Sequence, residues 1–526
     1  MTQDKLLKNG NIIDMVNDVP YTGDILIKDG IIEEIGTIET DENVDIIDCT
    51  NKCIIPGFID THSHPLLFGL YESLVDLTPQ TVKDIEDIKL ALRVAIQNTP
   101  AGEWIVAQGY NELEIEEKRH ITRQELDELT ADHPIYIRHS SAHMGIANSK
   151  VFDIVGIDDK TPDPDGGYFS KTDGTLDGLV FELPAMEKII PHLPKPTKED
   201  MVQALKTAED IYLSKGITTA TEACVGLAQG SHDFEAYMEY FRHDGILNFR
   251  LMIDYQLLLT MPEFKGRTFD EINEFIKTRS NGRCVLDSAK FFQDGSPQLY
   301  TAALTENYHD MDVKGEKILP QEKLESLYVH FAELGFPLTT HANGDAAIKS
   351  VIKAYEHVNQ KCGGYTKRKR IEHVQTGEYG DIKAMKEAGI DGSFFINHVY
   401  YYGDQHYEKF FGPERAEHIS PARWAEDLGV LYTLHSDCPV TPISPMDNIR
   451  IASERKTKSG RILGDDMKLS RLEALKSMTI NGAKLNETAH YNGSIETGKD
   501  GRLIILDDDI LNPGINIDDH LILHRI

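Results

Sequence analysis

Between residues 197 and 437, short apolar runs alternate with amphipathic helical segments, and this rhythm constrains the fold more than any other feature of the chain. For example, the helical face of Leu324, Leu327 and Phe331 ends at Gly335, and an apolar run to His341 follows. Strands separated by helices pair in parallel, because the crossover returns the chain to the same edge. The runs that fit this pattern end near the following residues: His64, Glu222, Asp254, Gln293, His341, His373, His398 and Asp437.

Eight such units predict an α/β fold with a (β/α)8 TIM-like barrel, in which functional residues lie at the carboxyl ends of the strands. A doubly wound open sheet is the alternative, but the sequence has no glycine-rich dinucleotide or phosphate loop to support it. The two ends of the chain read instead as short strands and turns, with Asp29-Gly30 typical of a hairpin. We therefore predict the following domains: a small β-sandwich domain (1–55 plus 484–526), the barrel (56–65 plus 196–483), and a lid or substrate domain inserted after strand 1 (66–195).

The composition limits the classes of partner. The chain has 54 Lys and Arg against 86 Asp and Glu, a formal net charge of −32, which disfavours nucleic acid and anionic membranes as partners. The six cysteines are scattered without a C-x-x-C pair, and no signal-like or membrane-length apolar stretch occurs in the sequence. The cysteine pattern and the absence of a signal-like stretch predict a cytoplasmic protein. The acidic total says little about the substrate, for which we expect a small molecule, and a homodimer is the default expectation for the assembly.

His62 and His64 follow an apolar run and are separated by one residue. Because side chains alternate along a strand, both imidazoles can reach one space, where they suit a first-row metal such as zinc. Later strand ends add further candidate ligands: Lys290, Asp294, His341, His373 and Asp437. Singly, such a histidine is more often a hydrogen-bonded structural residue, and such an aspartate a helix cap. Together they indicate a metal site, because buried ionisable groups cost several kcal/mol unless they are paired or metal-bound.

Several segments resemble the amidohydrolase superfamily, in particular its branch of long, YtcJ-like metal-dependent hydrolases. They occur in the expected order and cover nearly the whole chain: Pro56–His64, Gly216–Ala220, Lys290–Ser296, His341–Asp345, Arg370–Gln375, Ser436–Val440, Thr479–Ala483 and Gly493–Lys499. The resemblance implies a (β/α)8 barrel flanked by a small β domain, with one or two divalent ions, zinc being the expected metal.

The resemblance also implies roles for the strand-end residues. His62 and His64 would hold the more buried metal, and His341 and His373 would hold the second. Asp437 would contact the first metal and the attacking water. These roles place the catalytic group and most of the metal ligands at one end of the predicted barrel.

Lys290 stands where many relatives carry a carboxylated lysine that bridges two metals. An unmodified lysine is cationic and does not ligate, so an ion pair with a carboxylate such as Asp294 is the alternative. Glu182, in the insertion, is the alternative bridging carboxylate. His143 and His398 are candidates to orient the substrate or to donate to an oxyanion, and a structural role is the alternative for each.

The complete ligand set predicts an amidohydrolase that cleaves a non-peptide carbon–nitrogen bond in an amide, N-acyl or N-formyl group. It would use a metal-activated hydroxide, with Asp437 as general base and then general acid. Two alternatives remain: ester or lactone hydrolysis by the same centre, and a catalytically weak regulatory or binding protein on the same scaffold.

Overall fold

The computed structural model describes residues 4–39, 44–79, 81–139, 144–243 and 245–526. The chain divides into two compact units: the first comprises Met1–Leu67 and Leu205–Ile526, and the second comprises Phe68–Ala204. None of the helices in the described ranges combines the length and the apolar character that crossing a membrane requires.

A curled parallel sheet forms the centre of the first unit. Its strands in chain order are β1 Phe58–Ile59, β2 Ile217–Val225, β3 Asn248–Asp254, β4 Cys284–Phe292, β5 Leu338–Ala342, β6 Lys369–His373, β7 Asp391–Phe395 and β8 Tyr432–His435. Sheet order follows chain order, and every neighbouring pair is parallel. The prediction of an α/β fold built on a parallel sheet is therefore confirmed.

Helices fill the connections between these strands and bury their apolar faces against the sheet. In Asp345–Lys361, Ile348, Val351 and Tyr355 are fully buried, as the helical spacing of apolar residues predicts. The α-helices of this unit, including two that cross its boundaries in the chain, are Pro65–Glu72, Lys198–Ser214, Ser231–Tyr240, Tyr255–Thr260, Phe269–Arg279, Gln321–Glu333, Asp345–Lys361, Tyr379–Ala388, His398–Tyr401, Gly403–Gln405, Gly412–Ala416, Ala422–Leu428, Pro445–Glu454, Arg471–Ser477 and Ile480–Leu485.

Beyond β1, Ser63 forms an isolated parallel bridge to β2. Ser63 N donates to Thr221 O at 3.2 Å, and Ala223 N donates to Ser63 O at 2.8 Å. On the other side, His64 N donates to Cys438 O, just beyond β8, at 2.7 Å. This pairing keeps the alternation of side chains that brings the two histidines of the first strand to the same side.

The seventh strand ends three residues before His398. β7 ends at Phe395, and His398 is the first residue of the helix His398–Tyr401. Asn397 already has helical backbone angles, and its side chain donates to Thr441 Oγ1 at 2.9 Å. The apolar run by itself does not mark this start of a helix.

Both termini contribute to a second sheet in the first unit. Its strands are Lys5–Ile12, Tyr21–Lys28, Ile31–Gly36, Asp45–Asp48, Cys53–Pro56, Leu503–Leu506 and Ile522–Arg525. Lys28 pairs with Ile31 in antiparallel register, and Asp29 and Gly30 between them have φ angles of 50° and 78°. Two successive positive φ angles suit a two-residue hairpin loop, so the hairpin predicted at Asp29-Gly30 is confirmed.

The second unit has a six-stranded sheet and an apolar core of its own. Its strands are Val75–Asp76, Ile105–Tyr110, Ile135–His139, Met144–Ala147, Tyr168–Thr172 and Thr175–Phe181, and its helices are Ile85–Asn98, Arg123–Asp127, Ser149–Val155 and Leu183–Met186. Ile105, Ile137 and Ile146, from three neighbouring strands, are buried in one cluster.

Candidate metal centre

His62 and His64 are buried at the end of β1, and each imidazole lies between two carboxylates. The Nδ1–H of His64 donates to Glu222 Oε1 at 2.9 Å, and the Nδ1–H of His62 donates to Glu372. On the opposite edges, the Nε2 atoms of His62 and His64 lie 3.2 Å and 3.4 Å from one oxygen, Oδ1 of Asp437. Two ring lone pairs and a carboxylate oxygen therefore meet at one point, which favours a cation there.

The pKa values also favour a positive charge at this point. Burial lowers the pKa of His64, but the neighbouring carboxylates of Asp437 and Glu222 outweigh it and raise the pKa to about 9. Burial raises the pKa of Asp437, but the neighbouring His62 and His64 hold it well below its usual range. A proton or a metal ion can supply the charge, and a divalent ion can satisfy all three atoms at once.

His373 and His435 extend the cluster. Their ring centroids lie 4.8 Å and 4.4 Å from that of His62 and 5.1 Å from each other. His373 Nδ1 lies 4.0 Å from Asp437 Oδ2. Burial holds the pKa of both His373 and His435 well below the usual range, so both rings are neutral and keep a lone pair for ligation.

Four buried atoms of this cluster have no hydrogen-bond partner among the described residues: His373 Nδ1, both ring nitrogens of His435, and Asp437 Oδ1. Buried polar atoms are rarely left unpaired, because each costs about 1–3 kcal/mol. Two groups, His62–His64–Asp437 and His62–His373–His435, offer ligand atoms that lie within 4.8 Å of one another. This donor set fits a divalent metal that accepts imidazole and carboxylate ligands.

Two residues of the cluster have strained backbones. His373, the last residue of β6, has a φ of 72°, and Asp437, two residues after β8, has a φ of 53°. A non-glycine residue in the left-handed region costs about 1–3 kcal/mol and persists only where its surroundings hold it. Such strain concentrates at functional sites, and here both strained residues belong to the cluster.

His341 lies beside the cluster, with its ring centroid 4.4 Å from that of His373. Its Nε2–H donates to the Gly295 carbonyl at 3.1 Å, which leaves the lone pair on Nδ1. Burial, assisted by the positive charge of Lys290, lowers the pKa of His341 to about 4. His341 is thus a neutral ring, but it belongs to neither group of candidate ligands found in the described part of the chain.

Lys290 is fully buried in β4, with Nζ 5.2 Å from the centroid of the Phe292 ring. Nζ makes no hydrogen bond or ion pair with any residue that the structure describes, and burial lowers its pKa. The alternative partner Asp294 instead accepts three backbone N–H groups, from residues 303, 343 and 344, at 3.0, 2.9 and 2.7 Å. An unpaired buried ammonium costs several kcal/mol, so this position favours an uncharged or modified lysine.

A model of the amidohydrolase family matches residues 45–513 of the sequence. The chain belongs to the amidohydrolase family. It is therefore an enzyme, a hydrolase that acts on carbon–nitrogen bonds.

Two curated relatives align with this amidohydrolase over most of their lengths. The N-substituted formamide deformylase of Arthrobacter pascens is 27% identical over 97% of this chain and 94% of the relative. The putative amidohydrolase YtcJ of Bacillus subtilis (strain 168) is 27% identical over 95% of this chain and 93% of the relative. The resemblance to the YtcJ-like branch that the sequence motifs predict is confirmed.

A solved structure shows the same fold. The uncharacterized metal-dependent hydrolase from Pyrococcus horikoshii OT3 superposes with a TM-score of 0.77 at 22% identity, covering 99% of this amidohydrolase and 100% of that chain. The likeness extends over both units of the chain and concerns the fold alone.

Two residues that the sequence singles out, Glu182 and His398, are not part of the cluster described above, and a third, His143, lies outside the described residues. Glu182 is exposed in the second unit and is absent from both groups of candidate ligands that the described residues form. His398 is buried, and its Nδ1 lies within hydrogen-bond distance of His406 Nε2, at 2.9 Å. Their proposed roles stay predictions.

Sequence reasoning missed three residues that build the site: Glu222, Glu372 and His435. Glu222 and Glu372 hold the Nδ1 edges of the two histidines of β1 and so orient their Nε2 atoms. His435 stacks on His62 with the ring planes 27° apart. A signal existed for His435, because it stands two residues before Asp437 on the same strand end. The two glutamates carry no such signal, since their partners are more than 150 residues away in the chain.

Proposed function

We propose that this amidohydrolase cleaves the carbon–nitrogen bond of a non-peptide amide, N-acyl or N-formyl compound in a metal-dependent reaction. The observation that carries the proposal is the convergence of His62 Nε2 and His64 Nε2 on one oxygen of Asp437, at 3.2 Å and 3.4 Å. Family membership and the similarity to an N-substituted formamide deformylase support an amide-type substrate.

We propose that one or two divalent ions, with zinc as the first candidate, occupy the cluster. His62, His64 and Asp437 would hold the first ion, and His341 and His373 would hold the second. A divalent ion at this place would lower the pKa of bound water and polarise a substrate carbonyl. The unpartnered buried atoms of the cluster and its neutral imidazoles support this proposal.

We propose that Lys290 carries a carboxylate group on Nζ and bridges the two ions, with Glu182 as the alternative bridging residue. Burial lowers the pKa of Lys290, and an uncharged amine is the form that reacts with carbon dioxide. The absence of a carboxylate partner for Nζ within the described residues supports the modified state. Electron density at Nζ, with anomalous scattering to count the ions, tests both points.

Asp437 is the proposed general base and acid. Its neighbours keep the carboxylate ionised, so it can accept a proton from the attacking water. The same oxygen can then deliver that proton to the leaving nitrogen. His62 and His64 hold the carboxylate in place, while Glu372 and Glu222 hold the rings of those histidines. His143 and His398 remain candidates to orient the substrate.

We also propose that the parallel sheet closes as a (β/α)8 barrel, which contacts between the first and last strands support. Thr61 Oγ1 and Thr433 Oγ1 lie 2.8 Å apart, and His64 N donates to Cys438 O at 2.7 Å. The proposed domains are a β-sandwich (1–55 plus 484–526), the barrel (56–65 plus 196–483) and an inserted domain (66–195).

A cytoplasmic homodimer is proposed as well; the six free cysteines support a reducing compartment.

A substrate panel tests the proposed reaction. We expect the purified protein to contain divalent metal and to hydrolyse N-formyl or N-acyl amines faster than the matched esters. Asp437→Asn should lower kcat by about 10²–10⁴-fold, the contribution of a general acid–base group. Asp153→Asn, the same change at an exposed aspartate in the second unit, should leave the rate unchanged.

The alternatives give different results in the same panel. Equal rates on amides and matched esters would favour an ester or lactone hydrolase. Tight binding of a panel compound that survives chelation, without turnover, would favour a binding protein. A metal-free protein with no metal-stimulated hydrolysis would overturn the proposal.

A further inference from the structure

A second pair of buried histidines lies outside the candidate metal centre, between β7 and β8. His398 is 3% exposed and His406 is fully buried. His398 Nδ1 lies 2.9 Å from His406 Nε2, the ring centroids are 5.1 Å apart, and the ring planes differ by only 9°. A nearly coplanar pair at this spacing meets edge to edge, so the hydrogen bond lies along the ring plane, where the nitrogen lone pair points.

Aromatic side chains fix the orientation of both rings. His406 lies against Phe411, with centroids 4.9 Å apart and planes 11° apart, and begins the π-helix His406–Phe410. His398 packs edge-on against Phe395, with ring centroids 4.3 Å apart, and its centroid lies 5.2 Å from that of Tyr402. With both rings held, the variable that remains is which nitrogen carries the proton in each ring.

The surroundings decide where the protons lie. Burial lowers the pKa of His398 well below its usual range and that of His406 to about 3, so both rings are neutral. His406 Nδ1 is buried and has no partner in the part of the chain that the structure describes. A proton on His406 Nδ1 would bury a hydrogen-bond donor without a partner. A proton on His406 Nε2 leaves only an unused lone pair on Nδ1, which costs less.

A second neighbour gives the same assignment. The side-chain amide nitrogen of Gln298 lies 3.5 Å from His398 Nδ1. Both this N–H group and the Nε2–H of His406 are donors, so Nδ1 of His398 acts as the acceptor. A neutral His398 then carries its proton on Nε2. His398 Nε2 makes no hydrogen bond within the described residues. It is also absent from the fully buried side-chain atoms without a partner, so it keeps some solvent exposure.

We propose that His406 is a positioning residue that holds His398 as its Nε2–H tautomer, so that His398 donates a hydrogen bond to an acceptor oxygen of the substrate. The substrate role rests on the proposed function. The ring centroid of Phe395 lies 4.3 Å from that of His398 and 5.2 Å from that of His435, so one aromatic ring links the donor to the candidate metal centre. A substrate that reaches from this centre past Phe395 would present a carbonyl or similar acceptor oxygen to His398.

Two substitutions of His406 separate this role from a packing role. His406→Leu fills the space without a donor, whereas His406→Gln keeps an N–H group near the place of Nε2. We expect His406→Leu to raise KM and lower kcat/KM about tenfold, with unchanged metal content, and His406→Gln to recover most of that loss. His133→Leu, at a buried histidine of the second unit whose Nδ1 bonds Glu103 O at 2.8 Å, should not change KM.

Nitrogen NMR of ¹⁵N-histidine-labelled protein reads the tautomer directly and needs no substrate. We expect Nε2 of His398 to show the shift of a protonated nitrogen in the wild type and in His406→Gln, and a mixed signal in His406→Leu. A protonated Nδ1 in the wild type, or full kcat/KM in His406→Leu, would overturn the proposal. If the wild type hydrolyses no amide, the proposed function fails and the substrate role with it, while the spectrum still decides the tautomer.

Discussion

Glu372 joins a buried arginine to a candidate metal ligand, and its replacement by glutamine is the most direct test of how the site is built. The carboxylate accepts hydrogen bonds from His62 Nδ1 and from Arg370 Nε, and all three side chains are 0–1% exposed. Glutamine has nearly the same shape but no charge, and its amide group turns one acceptor into a donor. One of the two hydrogen bonds is therefore lost, and the arginine keeps its charge without a carboxylate.

The structure sets the size of the effect. Apart from Glu372, the Arg370 guanidinium donates to Thr61 O at 2.8 Å and contacts Met252 Sδ at 3.8 Å, while Nη1 has no partner among the described residues. Removal of one partner of a buried ion pair costs about 3–5 kcal/mol, so we expect Glu372→Gln to lower the unfolding free energy of the metal-free protein by that amount.

The same change should weaken metal binding, because His62 loses the carboxylate that fixes its ring and raises its basicity. Loss of such a supporting group reduces metal affinity about 10–100-fold. Urea unfolding of the metal-free protein measures the first effect, and zinc competition against a chromogenic chelator measures the second. Glu387→Gln makes the same change at a carboxylate that is 69% exposed, and it should shift stability by no more than about 0.5 kcal/mol.

Two results would refute this reasoning. If Glu372→Gln and Glu387→Gln unfold at the same urea concentration, the buried charge pair does not contribute as the structure indicates. If zinc affinity is unchanged while stability falls, Glu372 supports the fold but does not orient the metal-binding edge of His62.

Two further predictions concern other buried carboxylates. Tyr237→Phe removes a 2.7 Å hydrogen bond to Glu222. We expect a loss of about 1.5–3 kcal/mol in unfolding free energy and a weaker zinc affinity in the competition assay. An unchanged zinc affinity would contradict this prediction. Asp287 is buried, which raises its pKa, but Arg368 and Arg250 hold the pKa well below the unfolded value of 3.8. Its ionised form therefore stabilises the fold above about pH 4, and this contribution is lost as the pH falls further. We expect Asp287→Asn to cost about 3–5 kcal/mol at pH 7, and the difference from wild type to shrink below pH 4; urea unfolding that shows a pH-independent difference would speak against this.

The sequence by itself predicted the parallel sheet and the strand ends at which the candidate site lies. The alternation of apolar runs and helical segments predicted the parallel sheet, because local periodicity sets which elements form. The carboxyl ends of parallel strands meet at one edge, so His62, His64, His373 and Asp437 could be placed together without knowledge of their distances. The hairpin at Asp29-Gly30 was predictable for a similar reason, since it depends on adjacent residues alone.

Only the tertiary structure decided how those side chains are used. Glu222 and Glu372 orient the two histidines of β1 from other strands, and the chain separation of 158 and 310 residues leaves no trace in local sequence. A helix starts at His398, three residues after β7, and the side chain of the preceding Asn397 bonds Thr441, 44 residues away in the chain. Ring orientation, hydrogen-bond partner and burial are set by packing between distant segments, and these three quantities turn a set of strand-end histidines into a centre that can hold a metal.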